Sequence, residues 1–150
     1  MTTFEDCPVG RRATTAAVTV TETHVVMWSS LTGDWYPLHT DEVYARGTHF
    51  GGRVVHGPFT FALAVGLVER SGFYGDSILA WLGCERLRAI LPVRVGDTLS
   101  VEVEVTEARE SSEPDRGVAR IHYTVRNQRA EVVMEFDFLM LLRRAEPPNR

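Results

Sequence analysis

The sequence predicts an α+β domain in which a curved antiparallel sheet wraps around one central apolar helix. Three observations predict it. The second half of the chain alternates apolar and polar residues with a period of two, as half-buried strands do. The first half holds one segment, Gly57–Ser71, in which Phe59, Phe61, Ala62, Leu63, Ala64, Val65, Leu67 and Val68 leave almost no polar face. A helix of that kind has to be buried on most sides. Helical and strand signals are segregated along the chain, which separates α+β from α/β.

Taken in order, a short strand is expected near Ala16–Thr21, and Thr21 to Gly72 reads as helices and long loops. Thr40 reads as the cap of a short helix starting at Asp41-Glu42-Val43-Tyr44-Ala45. Pro58 suits the first position of the Gly57–Ser71 helix, where its missing N–H would have had no partner. Ile78–Leu91 is a strand, more continuously apolar than the rest and so expected near the centre of the sheet. A single sheet around one helix also leaves an apolar strand edge, around Ile78–Cys84, that has to be paired or covered. Leu99, Val101, Val103 and Val105 alternate with Ser100, Glu102, Glu104 and Thr106 without a fault. Ile121, Tyr123 and Val125 repeat the pattern, and Val132, Met134, Phe136, Phe138 and Met140 hold one face opposite Glu135 and Asp137. Turn residues separate these strands at Gly96-Asp97, Ser111–Gly117 and Asn127–Arg129.

No linker, repeat or low-complexity stretch divides the chain, so residues 1–150 read as one domain, with Ala145–Arg150 a frayed tail. A domain of 150 residues buries roughly 68–70% of its unfolded surface, enough for a core without disulfides or metals. The net charge of −4, with no block of like charges, argues against nucleic acid as a partner. All 16 basic residues are arginine; without lysine, Schiff-base chemistry and a P-loop are excluded. Cys7 and Cys84 match no metal or redox spacing, and Cys84 reads as a small buried hydrophobe. Met1–Arg12 carries Glu5, Asp6, Arg11 and Arg12 and no apolar run, which excludes a secretory signal. The longest apolar stretch, Pro58–Val68, falls short of the about 20 residues of a membrane span. The expectation is a soluble, cytoplasmic protein with no membrane partner.

Functional residue types concentrate in Gly33-Asp34-Trp35-Tyr36-Pro37-Leu38-His39. Asp34 alone is a common turn-capping carboxylate, and His39 alone a common packing or capping histidine. Pro37 between them stiffens one turn of backbone, so the two side chains can converge on one spot. A second cluster, Phe50-Gly51-Gly52-Arg53-Val54-Val55-His56-Gly57-Pro58, leads into the apolar helix. Its glycines permit close backbone approach, and free N–H groups at the helix start favour a developing negative charge.

Gly33-Asp34-Trp35-Tyr36-Pro37-Leu38-His39, with Ala45 after it, resembles the signature of the MaoC-like dehydratases, the (R)-specific enoyl-CoA hydratase family. Phe4-Glu5-Asp6 with Gly10, and Val55-His56-Gly57, are similar to the same family, so the resemblance runs from Phe4 to about Arg143. It implies the hot-dog fold. It also implies that Asp34 and His39 form a catalytic dyad holding one water, and that the Gly57 N–H receives the thioester oxygen. Tyr36, His56, Phe50 and Gly52 are then candidate substrate-binding residues. The implied substrate is a 2-enoyl or 3-hydroxyacyl thioester of coenzyme A or an acyl carrier. No metal and no separate cofactor are implied, since coenzyme A is part of the substrate. The implied assembly is a homodimer or a higher assembly of dimers. Two positions depart from the family: Tyr36 stands where asparagine is usual, and Val65 where a small hydroxyl residue is expected. Tyr36 is expected either to pack on the buried helix with its hydroxyl toward the loop or tunnel wall, or simply to pack with its hydroxyl in solvent.

Two other functions fit the same residues less well. A hot-dog thioesterase would share the fold and hydrolyse the thioester. A silent acyl-binding subunit of a heteromeric dehydratase would have no need of both dyad groups. His39, His49 and His56 show no metal spacing, and Arg53, Arg86, Arg88 and Arg94 read as surface charges or contacts for thioester phosphates.

Overall fold

The computed structural model describes residues 2–145. The tail expected to fray therefore lies, from 146 on, outside the described residues. Ala145 itself is tied down, its N–H donating to Glu5 Oε2 at 3.0 Å. After a 3-10 turn at Phe4–Asp6 come β1 (Arg12–Thr14), β2 (Val18–Thr19), α1 (Glu22–Thr32), α2 (Pro37–Thr40), α3 (Glu42–Arg46) and α4 (Gly57–Arg70). The four long strands follow: β3 (Ile78–Ala89), β4 (Thr98–Glu110), β5 (Arg116–Arg126) and β6 (Val132–Arg143). All pairings are antiparallel, in the order β1-β4-β5-β6-β3, with β2 also on β4. This is the α+β arrangement that the strand and helix patterns predict.

The inner face of the sheet follows the alternation. Leu99, Val101, Val103, Val105, Ile121, Tyr123, Val125 and Phe136 are all buried, and Tyr123 stacks on Phe136 with centroids 4.7 Å apart. Tyr74 and Tyr123 hydroxyls pair at 2.7 Å inside this core, so the polar ends of both rings are satisfied. Helix α4 lies on this face: Phe59, Thr60, Ala64, Leu67 and Val68 are buried, and Phe61 meets Phe136 at 4.8 Å. The helix is buried on most sides, as its apolar composition requires, but not on all. Pro58, Ala62 and Gly66 form an exposed stripe, because the sheet covers only one side of the helix. No helix among the described residues is long and apolar enough to cross a membrane.

Three expectations are corrected. The strand expected near Ala16–Thr21 is only β2 (Val18–Thr19), and a second strand, β1 (Arg12–Thr14), precedes it on β4, with the Thr15 N–H still donating to Val101 O at 2.9 Å. Asp41, not Thr40, caps α3, its carboxylate accepting from the Tyr44 N–H at 3.0 Å. Strand β3 is an edge strand, not a central one. It is apolar on both faces, yet Trp81, Leu82 and Leu87 are 57%, 50% and 48% exposed, and continuous apolarity alone does not separate these two positions.

On the outer face, Asp137 is wholly buried despite its place in the polar register of β6. It accepts from His122 Nδ1 at 2.8 Å and from Arg86 Nε at 2.5 Å. Arg86 reaches it from a β3 bulge, where its φ of 53° turns the chain out of the strand. Burial by itself would raise the Asp137 pKa, but the hydrogen bonds and charges of His122 and Arg86 hold it below the ordinary carboxylate value. A carboxyl whose pKa is depressed by folding stabilises the fold above its unfolded pKa of about 3.9, and that contribution is lost as pH falls through the folded value. Asp137→Asn is therefore expected to cost about 1–3 kcal/mol at pH 7 by denaturant unfolding, a difference that shrinks below about pH 4.

Candidate active site

Helix α1 ends where Gly33 takes a left-handed φ of 78° and its N–H donates to Ser29 O at 2.8 Å. Glycine adopts that conformation without a Cβ penalty, so the chain turns sharply and presents Asp34 next. The Asp34 Oδ1 accepts from the Tyr36 N–H at 3.3 Å, and Pro37 then opens α2, which carries His39 on its single turn. The His39 Nδ1 lies 2.8 Å from the Val54 carbonyl oxygen. A carbonyl only accepts, so Nδ1 carries the hydrogen and, in the neutral ring, Nε2 keeps the lone pair.

His56 mirrors this contact. Its Nε2 lies 3.0 Å from the Asp34 carbonyl oxygen and so carries its hydrogen. The buried Ser29 hydroxyl lies 3.4 Å from the same nitrogen. The His56 side chain is fully buried, its ring stacks on His39 with centroids 3.9 Å apart, and its Nδ1 has no partner. Burial, reinforced by nearby His39 and opposed by Asp34, pushes the His56 pKa down, which keeps the ring neutral.

A carboxylate oxygen of Asp34 and one ring nitrogen each of His39 and His56 lie within 4.8 Å of one another. Sequence spacing gave no hint that His56 joins the pair. These are also the groups that could hold a metal ion. The two nitrogens committed to carbonyls carry hydrogens, however, leaving as donors only His39 Nε2, His56 Nδ1 and the carboxylate. Of these, the Asp34 carboxylate and His39 Nε2 can bind and polarise a water and move its proton, whereas His56 Nδ1 is buried.

His39 and Gly57 line one cavity of about 260 Å³ together with Phe50, Ile90, Leu91 and Met134. Gly57 is the first residue of α4, so its N–H has no intrahelical acceptor. Val65, on the same helix, is half-buried against the core and does not line this cavity. Gly52 lies elsewhere, in a depression of about 280 Å³ on the other side of His39, lined also by Arg53 and Arg94. Tyr36 does not pack on α4: it is 54% exposed, with its hydroxyl 3.1 Å from that of Tyr44. Each of the four arginines has a partner within the chain, although Arg86 and Arg88 stay largely exposed. Arg53 pairs with Glu22, Arg86 with Asp137 and Arg88 with Glu135. Arg94 donates to the carbonyls of Arg53 and Phe50 at 3.0 and 2.5 Å.

The chain matches the family model described as MaoC like domain over residues 5–127. The chain belongs to the MaoC-like family. It is 32% identical to the 3-hydroxybutyryl-CoA dehydratase of Methylorubrum extorquens, over 95% of this chain and 85% of that protein. It is 38% identical to Protein MaoC of Klebsiella aerogenes over 67% of this chain, a match that spans 29% of that longer protein. Among solved structures, the MaoC-like dehydratase from Rhodospirillum rubrum superposes with a TM-score of 0.87 at 31% identity, covering 97% of this chain and 99% of that one. A double hot-dog protein of Mycobacterium tuberculosis shares the fold, with a TM-score of 0.85 at 23% identity over 99% of this chain and 46% of that one. The fold of this MaoC-like chain is thus the hot-dog fold.

Arg94 clamps the loop that carries Phe50 and the paired glycines. Arg94→Met is expected to lower stability by about 1–3 kcal/mol, because two buried-side carbonyls lose charged donors. Unfolding in denaturant checks this; an unchanged midpoint would contradict the clamp.

Proposed function

We propose that the protein is a hydro-lyase that adds water to a 2-enoyl thioester, or removes it from an (R)-3-hydroxyacyl thioester. The approach of the Asp34 carboxylate and the His39 imidazole beside the Gly57 cavity carries this reading. A gap of up to 4.8 Å suits one water donating a hydrogen to each group, since two hydrogen bonds of about 2.8 Å span it at an angle. His39 offers Nε2 as acceptor because Nδ1–H is held by Val54. With both hydrogens engaged, the water's lone pair faces substrate.

The water oxygen then bonds to Cβ, and the Cα=Cβ electron pair moves toward the thioester oxygen. The Gly57 N–H meets the charge that develops there, a contact commonly worth about 3–4 kcal/mol. The proton shed by the water rests on the dyad and is delivered to Cα, so the substrate gains one water and nothing else. No metal or separate cofactor takes part; coenzyme A or an acyl carrier belongs to the substrate. The lining of the 260 Å³ cavity includes no carboxylate and no guanidinium, so it suits a short uncharged acyl chain. An acyl carboxylate would lie there without a cation, at a cost of several kcal/mol. The name of the Methylorubrum extorquens relative, a 3-hydroxybutyryl-CoA dehydratase, agrees with a four-carbon chain.

Assembly follows from β3. Its unpaired edge and exposed Trp81, Leu82 and Leu87 suit a second copy of the chain. Sedimentation is expected to give at least twice the monomer mass, and a stable, active monomer would contradict it.

The dyad is tested by turnover on a panel of enoyl-CoA thioesters. Asp34→Asn and His39→Ala are each expected to lower hydration by at least about 10²-fold without loss of folding. The double variant should lose little more than either one, since both groups act on one water. Near-parental turnover by either single variant would reject the assignment. Tyr36→Phe, which removes a hydroxyl that meets only Tyr44, is expected to leave kcat within about threefold of the parent.

A further inference from the structure

The two backbone segments that carry the site, residues 34–39 and 54–56, are joined by a main-chain bond from the Val54 N–H to Leu38 O at 3.3 Å and by two imidazoles, one from each segment. His39, on the first segment, donates to the Val54 carbonyl of the second. His56, on the second, donates to the Asp34 carbonyl of the first. The two rings lie one on the other, 3.9 Å between centroids and 30° between planes. His56 is fully buried, so it does not reach an open cavity, and it is absent from the lining of the Gly57 cavity that holds His39. A buried polar ring retained beside an acid–base pair needs a structural reason of its own.

We infer that His56 is a positioning residue for the dyad: as the neutral Nε2–H tautomer it fixes Asp34 through its main-chain carbonyl and His39 through ring stacking. Asp34 sits in the turn that Gly33 creates, and α2 is a single turn of helix, so neither group is held by regular structure. Without His56 the Asp34 carbonyl loses its donor, and the carboxylate can drift relative to the His39 ring. A misplacement on the order of 1 Å can cost about 10²-fold in rate. This inference rests on the hydratase reading for its kinetic consequence, but its geometric content stands apart from it.

Two variants divide the roles of the ring. His56→Phe keeps a stacking surface and removes the donor. His56→Gln removes the ring and keeps an Nε2 donor at a similar reach. On an enoyl-CoA substrate, His56→Phe is expected to lower kcat by about 10²-fold with KM within about threefold, and His56→Gln to stay within about tenfold of the parent in kcat. Parental kcat in His56→Phe, or equal losses in both variants, would overturn the inference. Should His56→Phe fail to fold, imidazole nitrogen NMR of the parent decides. His56 is expected as the neutral Nε2–H tautomer at pH 7, and an imidazolium or an Nδ1–H tautomer there would overturn it. A parent that hydrates no enoyl thioester, yet shows the Nε2–H tautomer, would sink the hydratase reading and leave this positioning role standing.

Discussion

The reciprocal exchange of imidazole hydrogen bonds between residues 34–39 and 54–56 is the contact on which the rest of the site depends. Each segment contributes a histidine and a carbonyl, and each histidine donates across to the other segment. The exchange sets both tautomers at once. It leaves His39 with its lone pair on Nε2, and it sets the Asp34 backbone against the start of α4. Neither segment could hold this shape alone, because a single helical turn and a glycine turn are marginal in water. Tertiary contacts have to supply what local propensity does not.

The hot-dog scaffold provides the surroundings in which this exchange has consequences. The inner face of the sheet buries α4 along one side, which brings the helix start, and Gly57 with it, to the rim of the core. The same burial holds His56 neutral, so no positive charge competes with the proton that His39 would take. The Arg94 clamp on Phe50 and Arg53 closes the far side of the loop. Arg94 is thus used for backbone support around the site, while the cavity beside Gly57 is lined mostly by apolar side chains, with His39 and Thr60 among them.

Much of this was legible in the sequence. The faultless alternation of Leu99–Val105 has one physical meaning, and those side chains are buried as it requires. The Gly33-Asp34…Pro37…His39 spacing was legible because each residue type there does something local: a left-handed turn, a rigid first helical position, two titratable groups. Other features were not legible, for equally physical reasons. The partner of His56 is a backbone carbonyl, and no pattern of side chains encodes that. Asp137 is buried among His122, Arg120 and Arg86, and Arg86 reaches it from a bulge, a backbone choice that an arginine does not announce. The sequence marked an apolar edge around Ile78–Cys84 and also suggested a central place for Ile78–Leu91, because continuous apolar composition fits both positions; β3 is the edge. Tyr36 follows its neighbour Tyr44 rather than the helix, since α3 lies closer to the turn.

In the proposed reaction, Asp34, His39 and Gly57 together direct one water onto an enoyl thioester. It is tested most directly by incubating the protein with crotonyl-CoA in deuterium oxide and analysing the product by mass spectrometry and NMR. The account predicts (R)-3-hydroxybutyryl-CoA carrying one deuterium at Cα, with no release of free thiol. Free coenzyme A and crotonate as products, or crotonyl-CoA recovered unchanged, would contradict it.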